Sequence, residues 1–416
     1  MRFLFITLEF SAGTFSGNGI YGRSQVRSLA GLGHEVMVIS GAPESHDSKQ
    51  ICEGAKHLIE VALPMWGSLD ASSAWREFAA ACAGPKTAQR VADFAPDAVL
   101  GVDWTSLQPY NHLRQALGAL SVHIPPYVFL NYRVYARLSP DPIIRELEQA
   151  AAQAALVTVA LSRSDADYIA QHYLPEDAKA SSRPQVLLPA LRKDMEHLPL
   201  PATAEGRQQG RHLLSCCVRL SPEKEPERFV ALAEQLQRDG SLSRLGLKPI
   251  LCGSARGEYA DGLKARLRAA VPDAIIEERF LGPTELADIF SATALNIHPC
   301  LYDAYGMTVV EAASQGAPSL VHAGGSVGAT DLLSAPQGEV IEVDMSQPIE
   351  ALAAYIEELI GARSQRLADV GRAAAAKARS WTETANAEQL VALLQSHLKT
   401  EPKVMAQEHS HSVMGV

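Results

Sequence analysis

The sequence contains no CxxC pair, no internal repeat and no long hydrophobic run. Its six cysteines are scattered, which excludes a zinc ribbon or a disulfide framework and predicts reduced thiols. No segment approaches the roughly 18–20 consecutive apolar residues that a membrane-spanning helix needs. The apolar start of the chain reaches Glu9 too soon for the core of a signal peptide. We therefore expect no integral membrane segment and a cytoplasmic location.

An excess of positive charge is also missing. The net charge is −10, so the sequence offers no broad surface for phosphate backbones, and nucleic acid is not an expected partner. Hydrophobic residues make up 47% and charged residues 20% of the 416 residues, which excludes a disordered, collagenous or coiled-coil chain. At this length two domains are expected, because single hydrophobic cores rarely grow beyond roughly 250–300 residues.

Short apolar runs alternate with helical patterns in the first half of the chain. A strand at residues 2–8, a helix at 21–32 and a strand at 35–39 form one βαβ unit. Further strands are predicted at residues 98–100, 119–122 and 156–161. This alternation predicts a doubly wound first domain over residues 1–190.

The same alternation returns after a proline-rich linker at residues 191–210. Strands are predicted at residues 213–218, 249–252, 295–297 and 319–321, and a helix at 307–315. They define a second domain over residues 211–379, followed by a capped final helix at 380–398 and a flexible tail at 399–416. The predicted fold class is α/β, with two Rossmann-like domains that face a central cleft.

A group of polar residues follows the third strand of the second domain. Ligands in open α/β sheets bind at the carboxyl ends of strands, so the loop from Asp303 is a candidate site. The helix N-terminus that follows offers unpaired amides and a positive dipole end to a diphosphate, at Tyr305, Gly306, Met307 and Thr308. Glu311 lies about one turn into this helix and can accept hydrogen bonds from vicinal hydroxyls. From spacing alone, an acid that merely complements the helix dipole is the alternative.

Asp303 and Glu311 resemble the motif of the retaining glycosyltransferases of family 4, in which two glutamates are separated by seven residues. The resemblance covers roughly residues 1–395 and implies the GT-B architecture of two facing Rossmann-like domains, with the last helix crossing back to the first domain. It implies that Glu311 holds the donor ribose. It also implies that Asp303, one methylene shorter than the family's glutamate, contacts the transferred sugar.

Arg219 and Lys224 form a second group, at a strand end and on the following turn. Fixed cations at this place can neutralise a departing diphosphate without a metal. They resemble the arginine and lysine pair of the family, which commonly has glycine where this sequence has Val218 and Glu225. A surface ion pair between Lys224 and a neighbouring glutamate is the alternative.

The third group is the pattern G-x-G-x-x-G at Gly17 to Gly22. The pattern is typical of dinucleotide sites, but about eight loop residues separate it from the first strand and no acid ends the second strand. It is similar instead to the family's N-terminal glycine loop, which implies that Gly17 and Gly19 approach the donor phosphate or the acceptor. A tight turn is the alternative. Gly253 similarly resembles a nucleotide-side loop of the family.

Five further candidate residues lie in the first domain. The resemblance implies that His123, which we predict at the end of the 119–122 strand, contacts the transferred sugar. Asp103 and Trp104 are similar to an acid and aromatic pair on the acceptor side of some relatives. Tyr127 and Arg133 offer a stacking face and an anion-binding fork to a carbohydrate or phosphate-bearing acceptor. The alternatives are a structural role for His123, a cap for Asp103 and the core for Trp104. For Tyr127 and Arg133 the alternative is a buried core aromatic and a solvated arginine rim.

The residues and the resemblance together predict a retaining, metal-independent hexosyltransferase. It uses a nucleoside diphosphate sugar as co-substrate, needs no cofactor, and has Arg219, Lys224, Asp303 and His123 as its catalytic residues. The acceptor is unknown, and the balanced charge of residues 60–140 favours a soluble one. A glycosyl phosphorylase, a non-catalytic protein that binds sugar nucleotides, and a dinucleotide oxidoreductase stay open as other classes.

Overall fold

The computed structural model describes residues 1–10, 17–44, 53–63, 74–123, 125–139, 141–177, 183–200, 210–253, 257–362 and 364–399. It confirms the α/β class, because these residues form two parallel sheets that are each covered by helices. The interior of the predicted linker, at 201–209, and the predicted tail beyond Lys399 lie outside the described residues.

The first sheet has seven parallel strands in the order β3-β2-β1-β4-β5-β6-β7. These strands are β1 (Arg2–Thr7), β2 (Glu35–Pro43), β3 (His57–Leu63), β4 (Ala98–Val102), β5 (Tyr127–Asn131), β6 (Val157–Ala160) and β7 (Gln185–Val186). In β1, Leu4 and Phe5 point into different core clusters, because successive side chains of a strand face opposite sides of the sheet. The strand order reverses between β1 and β4, and loops at such a switch point open a crevice for ligands.

Helices cover both faces of this sheet. They are α1 (Gly17–Gly31), α2 (Ala74–Cys82), α3 (Pro85–Phe94), α4 (Leu107–Ala119), α5 (Pro142–Ala154) and α6 (Arg163–His172). The short helix α7 (Lys193–Glu196) follows within the segment predicted as a linker.

The second sheet has six parallel strands in the order β10-β9-β8-β11-β12-β13. Its strands are β8 (Leu213–Cys217), β9 (Lys248–Cys252), β10 (Ile275–Glu277), β11 (Thr293–Ile297), β12 (Ser319–His322) and β13 (Ile341–Val343). Its helices are α8 (Pro226–Arg238), α9 (Ser241–Leu245), α10 (Glu258–Ala270), α11 (Pro283–Ala292), α12 (Met307–Ser314), α13 (Ile349–Gly361) and α14 (Ser364–Ser380).

The last helix, α15 (Glu383–Leu398), packs against α1 of the first sheet. Glu383 pairs with Arg27 at 2.7 Å and accepts a hydrogen bond from Ser28. The predicted start at Ser380 is wrong, because Ser380 ends α14 and the Thr382 side chain caps α15 by accepting from the amide of Ala385. The chain thus crosses from the second sheet back to the first. None of the described helices is both long and apolar enough to cross a bilayer.

The strand predicted at residues 119–122 is also wrong. Helix α4 continues to Ala119, and the next strand is β5, which begins only at Tyr127. His123 therefore precedes a strand instead of ending one, and its side chain is exposed. Since all strands of the sheet are parallel, His123 lies at the amino edge of the sheet, opposite the edge where ligands bind.

Candidate active site

A cavity of about 320 Å³ lies between the two sheets. Its wall includes the loops after β5, β6, β8, β9, β10 and β11, the first turns of α1 and α12, and Arg192. Eleven of the predicted site residues line it: Gly17, Arg133, Arg219, Lys224, Gly253, Asp303, Tyr305, Gly306, Met307, Thr308 and Glu311. The structure thus brings together motifs that are up to about 300 positions apart in the chain.

Asp303 is the centre of a buried ion-pair network. Its Oδ2 atom lies 2.6 Å from Lys224 Nζ and 3.1 Å from His298 Nε2, and its Oδ1 atom accepts from the amide of Tyr305 at 3.3 Å. Burial opposes charge on this carboxyl, but Lys224 and His298 hold its pKa well below the usual range. Asp303 is therefore ionised, and it fixes the position of the Lys224 ammonium.

His298 connects this network to the second sheet. It follows β11 directly and is 2% exposed, so burial opposes its charge, yet Cys300 and Asp303 raise its pKa to about 10. The atoms of His298, Cys300 and Asp303 that can bind metals lie within 4.8 Å of one another. A divalent cation there would meet the ammonium of Lys224, so the group is better explained as an ion-pair network than as a metal centre.

Helix α12 directs its N-terminus into the cavity. Gly306 caps it with φ +88°, a left-handed conformation that glycine adopts without strain. The first amides of a helix have no partner within the helix and carry its positive dipole end. Met307 and Thr308 bring these amides to the cavity wall, where they can bind an anion.

Glu311 lies one turn further along α12 and is 5% exposed. Its Oε1 atom is 3.4 Å from a guanidinium nitrogen of Arg192, which also binds Asp194 at 2.6 Å. Burial raises the pKa of Glu311, and the charge of Arg192 offsets part of this shift. The acidic side chain is thus held at the cavity wall by a cation from the segment between the two sheets.

Arg219 and Lys224 reach the cavity from the loop after β8. Arg219 donates to Ser221 Oγ at 3.1 Å and forms an ion pair with Glu223. Glu225, which follows Lys224, has φ +46° in the left-handed region. Its carboxylate binds Arg228 at 2.9 Å and the amide of Leu301 at 2.6 Å, so its charge is compensated.

Asp103 positions two residues that line the cavity on the side of the first domain. It follows β4 with φ +54°, and its carboxylate accepts from Asn18 Nδ2 at 2.7 Å and from the amide of Tyr132 at 2.8 Å. Asn18 and Tyr132 line the cavity, whereas Asp103 lies behind them. Burial raises the pKa of Asp103 to about 7. Protonation of Asp103 near neutral pH can therefore change its hydrogen bonds to Asn18 and Tyr132, which line the cavity.

Besides Asp103, four predicted site residues do not line the cavity. Trp104 and Tyr127 are 2% exposed and belong to the core. Trp104 packs edge to face on Trp75 and Tyr135, while Tyr127 stacks on Tyr110 and shares a hydrogen bond with Ser106. Gly19 is buried in α1 behind the wall. With His123 at the opposite edge, the structure contradicts a direct contact of these residues with a ligand in this cavity.

Two models of protein families match the two halves of the chain. The model described as "Glycosyl transferase 4-like domain" matches residues 16–179, and that described as "Glycosyl transferases group 1" matches residues 203–377. Together they cover well over half of the chain. The chain belongs to the glycosyltransferases. A sequence search of curated proteins gave no significant match.

Solved structures show that this glycosyltransferase has the GT-B fold. HepE from Anabaena in complex with UDP and glucose has a TM-score of 0.68 and 16% identity, with coverage of 95% of this chain and 100% of that one. Sucrose-phosphate synthase from Thermosynechococcus elongatus has a TM-score of 0.71 and 16% identity, with coverage of 96% and 100%. The catalytic domain of starch synthase IV from Arabidopsis thaliana, bound to ADP and acarbose, has a TM-score of 0.68 and 14% identity, with coverage of 96% and 99%.

Two lining residues that contact the acids of the cavity, His298 and Arg192, are missing from the predicted set. His298 directly follows the predicted strand at 295–297, so the rule that polar residues at strand ends bind ligands could have identified it. Arg192 lies in the predicted linker, and no local pattern marks it. Its role depends on a contact with Glu311, 119 positions away in the sequence.

Proposed function

We propose that this glycosyltransferase moves a hexose from a nucleoside diphosphate sugar to an acceptor with retention of anomeric configuration. One observation supports this most strongly. The cations Arg219 and Lys224 and the N-terminus of α12 line a single cavity, which also reaches Arg133 of the first domain. Such a cavity provides positive charge for a diphosphate on one side and room for a second substrate on the other.

The donor binds along the second sheet in this proposal. Its diphosphate accepts hydrogen bonds from the amides of Met307 and Thr308, and Glu311 accepts from the ribose hydroxyls. Asp303 lies between Lys224 and the first turn of α12, where the transferred sugar would be. Because HepE is described in complex with UDP and with UDP-glucose, UDP-glucose is the first donor to test.

Departure of the nucleotide creates negative charge that Arg219 and Lys224 neutralise. Both cations are fixed before the reaction, Arg219 by Ser221 and Glu223 and Lys224 by Asp303, so little reorganisation is required. A leaving phosphate oxygen takes the acceptor proton while the acceptor attacks from the same face, which retains the configuration. We propose that neither a metal nor another cofactor takes part.

The acceptor binds on the first-domain side, next to Asn18, Tyr132 and Arg133. We propose a soluble acceptor and a cytoplasmic location. Glu225 stands where glycine is usual, but its charge is compensated by Arg228 and the amide of Leu301. This departure therefore does not weaken the case for binding an anionic donor.

A thermal-stability screen against nucleoside diphosphate sugars tests the proposal. It includes UDP-glucose, NAD and NADP, with EDTA present throughout, because ligands that bind only the folded state raise its melting temperature. We expect stabilisation by one sugar nucleotide, and then transfer of its sugar with retention, followed by NMR of the anomeric proton. Stabilisation by NAD alone, or by a sugar nucleotide only when EDTA is omitted and a divalent metal added, would contradict the proposed chemistry.

A further inference from the structure

Five arginine and lysine side chains line the cavity: Arg133, Arg192, Arg219, Lys224 and Arg279. Four of them pair with carboxylates within 4.0 Å: Arg192 with Asp194 and Glu311, Arg219 with Glu223, Lys224 with Asp303, and Arg279 with Glu277 and Glu285. Arg133 makes no such pair with any carboxylate in the described part of the chain. The first-domain side of the cavity thus has a cation without a paired counter-charge.

Arg133 is held in a defined position. It follows β5 by two residues, and its carbonyl oxygen accepts from Asn131 Nδ2 at 3.0 Å. Its guanidinium lies over the ring of Tyr135, 4.4 Å from the ring centre. Burial opposes its charge, but Tyr135 and Asp103 keep its pKa above the usual value, so it is always protonated. A fixed arginine is well suited to bind phosphate or carboxylate with two parallel hydrogen bonds.

Asp103 is a neighbouring carboxylate of Arg133, but the two form no ion pair within 4.0 Å. Asn18 donates to one oxygen and the amide of Tyr132 to the other. The charge of Arg133 is thus not paired with a carboxylate in the described part of the chain. A partly buried cation is stabilised when an anion completes its surroundings. The other four cations lie on the second sheet or next to it, around the place proposed for the donor diphosphate.

We propose that Arg133 binds an anionic group of the acceptor, a phosphate or a carboxylate. The inference rests on the proposed transfer function, since it assigns the second substrate of the same cavity. Arg133 is then a specificity residue: it selects an anionic acceptor over the neutral form of the same molecule, and the donor diphosphate stays with Arg219 and Lys224.

The experiment compares the wild type, R133M, R133K and the control R114M, which removes an exposed arginine of α4 in the same domain. Transfer is measured with matched acceptors: glucose and glucose 6-phosphate, fructose and fructose 6-phosphate, glycerate and glycerol. In parallel, calorimetry measures binding of inorganic phosphate and of each acceptor, with and without the nucleoside diphosphate that the donor screen identifies.

We expect the wild type to prefer the anionic member of a pair. In R133M the ratio of kcat/KM for the anionic and the neutral acceptor falls roughly tenfold or more, which corresponds to the loss of a charge-assisted hydrogen bond. R133K restores part of the ratio, and R114M keeps it. The phosphate and carboxylate pairs show which anion is recognised.

Three results would overturn the inference. The first is equal use of neutral and anionic acceptors by the wild type, and the second is anion binding that is the same in R133M. The third is a larger loss of nucleotide affinity than of anion preference in R133M, which would assign Arg133 to the donor. If no nucleotide binds, the proposed function is wrong, while the calorimetry without nucleotide still decides whether Arg133 binds anions.

Discussion

The hydroxyl of Tyr302 donates a hydrogen bond to the carboxylate of Asp165, 2.9 Å away, from one half of the molecule to the other. Arg137 completes this contact: it binds Asp165 at 2.9 Å and lies over the Tyr302 ring, 3.8 Å from its centre. Tyr302 immediately precedes Asp303 in the chain. The first domain therefore helps to position the loop that carries the central acid of the cavity.

Replacing Tyr302 with phenylalanine tests this coupling. The variant loses one hydrogen bond to a buried charge, so we expect kcat/KM to fall roughly tenfold. The nucleotide dissociation constant should change little, because the proposed diphosphate site lies on the second domain. Tyr259→Phe is the control, since its hydroxyl contacts Glu227 on the outer surface of the second domain. Equal effects of the two variants on kcat/KM would count against the coupling.

Asp303→Asn should destabilise the fold as well as stop turnover. It leaves the Lys224 ammonium without its partner, and breaking a mostly buried pair costs about 3 kcal/mol. Because the pKa of Asp303 is lowered in the folded state, its stabilisation is present above the unfolded pKa of about 4 and is lost as the pH falls below it. Urea unfolding should therefore show a difference between wild type and variant at pH 7 that shrinks below about pH 4. If the difference in the free energy of unfolding did not change with pH, the stabilisation by Asp303 would not be ionic.

Arg192→Met should make donor binding depend on pH. Without Arg192, the pKa of buried Glu311 rises further, and a protonated Glu311 is a poorer acceptor for ribose hydroxyls. We expect the nucleotide dissociation constant to increase roughly tenfold at pH 6 and much less at pH 8. Asp194→Asn keeps the contact between Arg192 and Glu311 and is the control. The same loss at both pH values would show that Arg192 acts on the ligand directly.

Because of Asp103, the pH profile of kcat/KM for the acceptor should have an inflection near neutral pH. Its pKa is raised to about 7 by burial, and only the ionised carboxylate accepts from both Asn18 and the Tyr132 amide. We therefore expect kcat/KM for the acceptor to rise as the pH rises through about 7. In Asp103→Asn this inflection disappears, because the amide does not titrate. An unchanged inflection in the variant would assign it to another group.

Much of the second-domain site could be predicted because its polar residues follow strands closely. Gly253 comes directly after β9, Arg219 comes two residues after β8, and α12 begins at Met307 as the sequence indicated. The family commonly has glycine where this sequence has Glu225, and the backbone there explains this preference. It is in the left-handed region, a conformation that glycine adopts without strain. The sequence showed the departure from glycine, but only the structure shows that Arg228 and the Leu301 amide compensate its charge.

The first-domain site was harder to predict. The apolar run before His123 is too short for its periodicity to distinguish a strand from the end of a helix. Leu113 and Leu117 are four residues apart and buried on one face of α4, and this spacing continues the helix to Ala119. Tyr127 and Trp104 are aromatic residues of the kind that stack on sugars. Whether such a residue faces a cavity or the core depends on how the helices pack, which the sequence does not show.

Gly253 provides a test of the cavity wall that involves no charge. A methyl group at this position would overlap the carbonyl oxygen of Val218 and come within 2.8 Å of the Leu220 side chain. Because the backbone of Val218 is fixed by pairing with Cys252, Gly253→Ala should shift the loop that carries Arg219. We expect a loss of about 1–3 kcal/mol of stability in urea unfolding, and weaker nucleotide binding.

Gly262→Ala is the matched control for this substitution. Gly262 is exposed within α10, and a methyl group there would meet nothing within 4 Å. Alanine is the better helix former, so this variant should gain about 0.5–1 kcal/mol and bind nucleotide like the wild type. A loss of stability in Gly253→Ala together with a gain in Gly262→Ala would show that close packing between the ends of β8 and β9 positions Arg219. If Gly253→Ala were as stable as Gly262→Ala, the loop would have to be free to move, and the fixed cation on which the proposed chemistry depends would be in doubt.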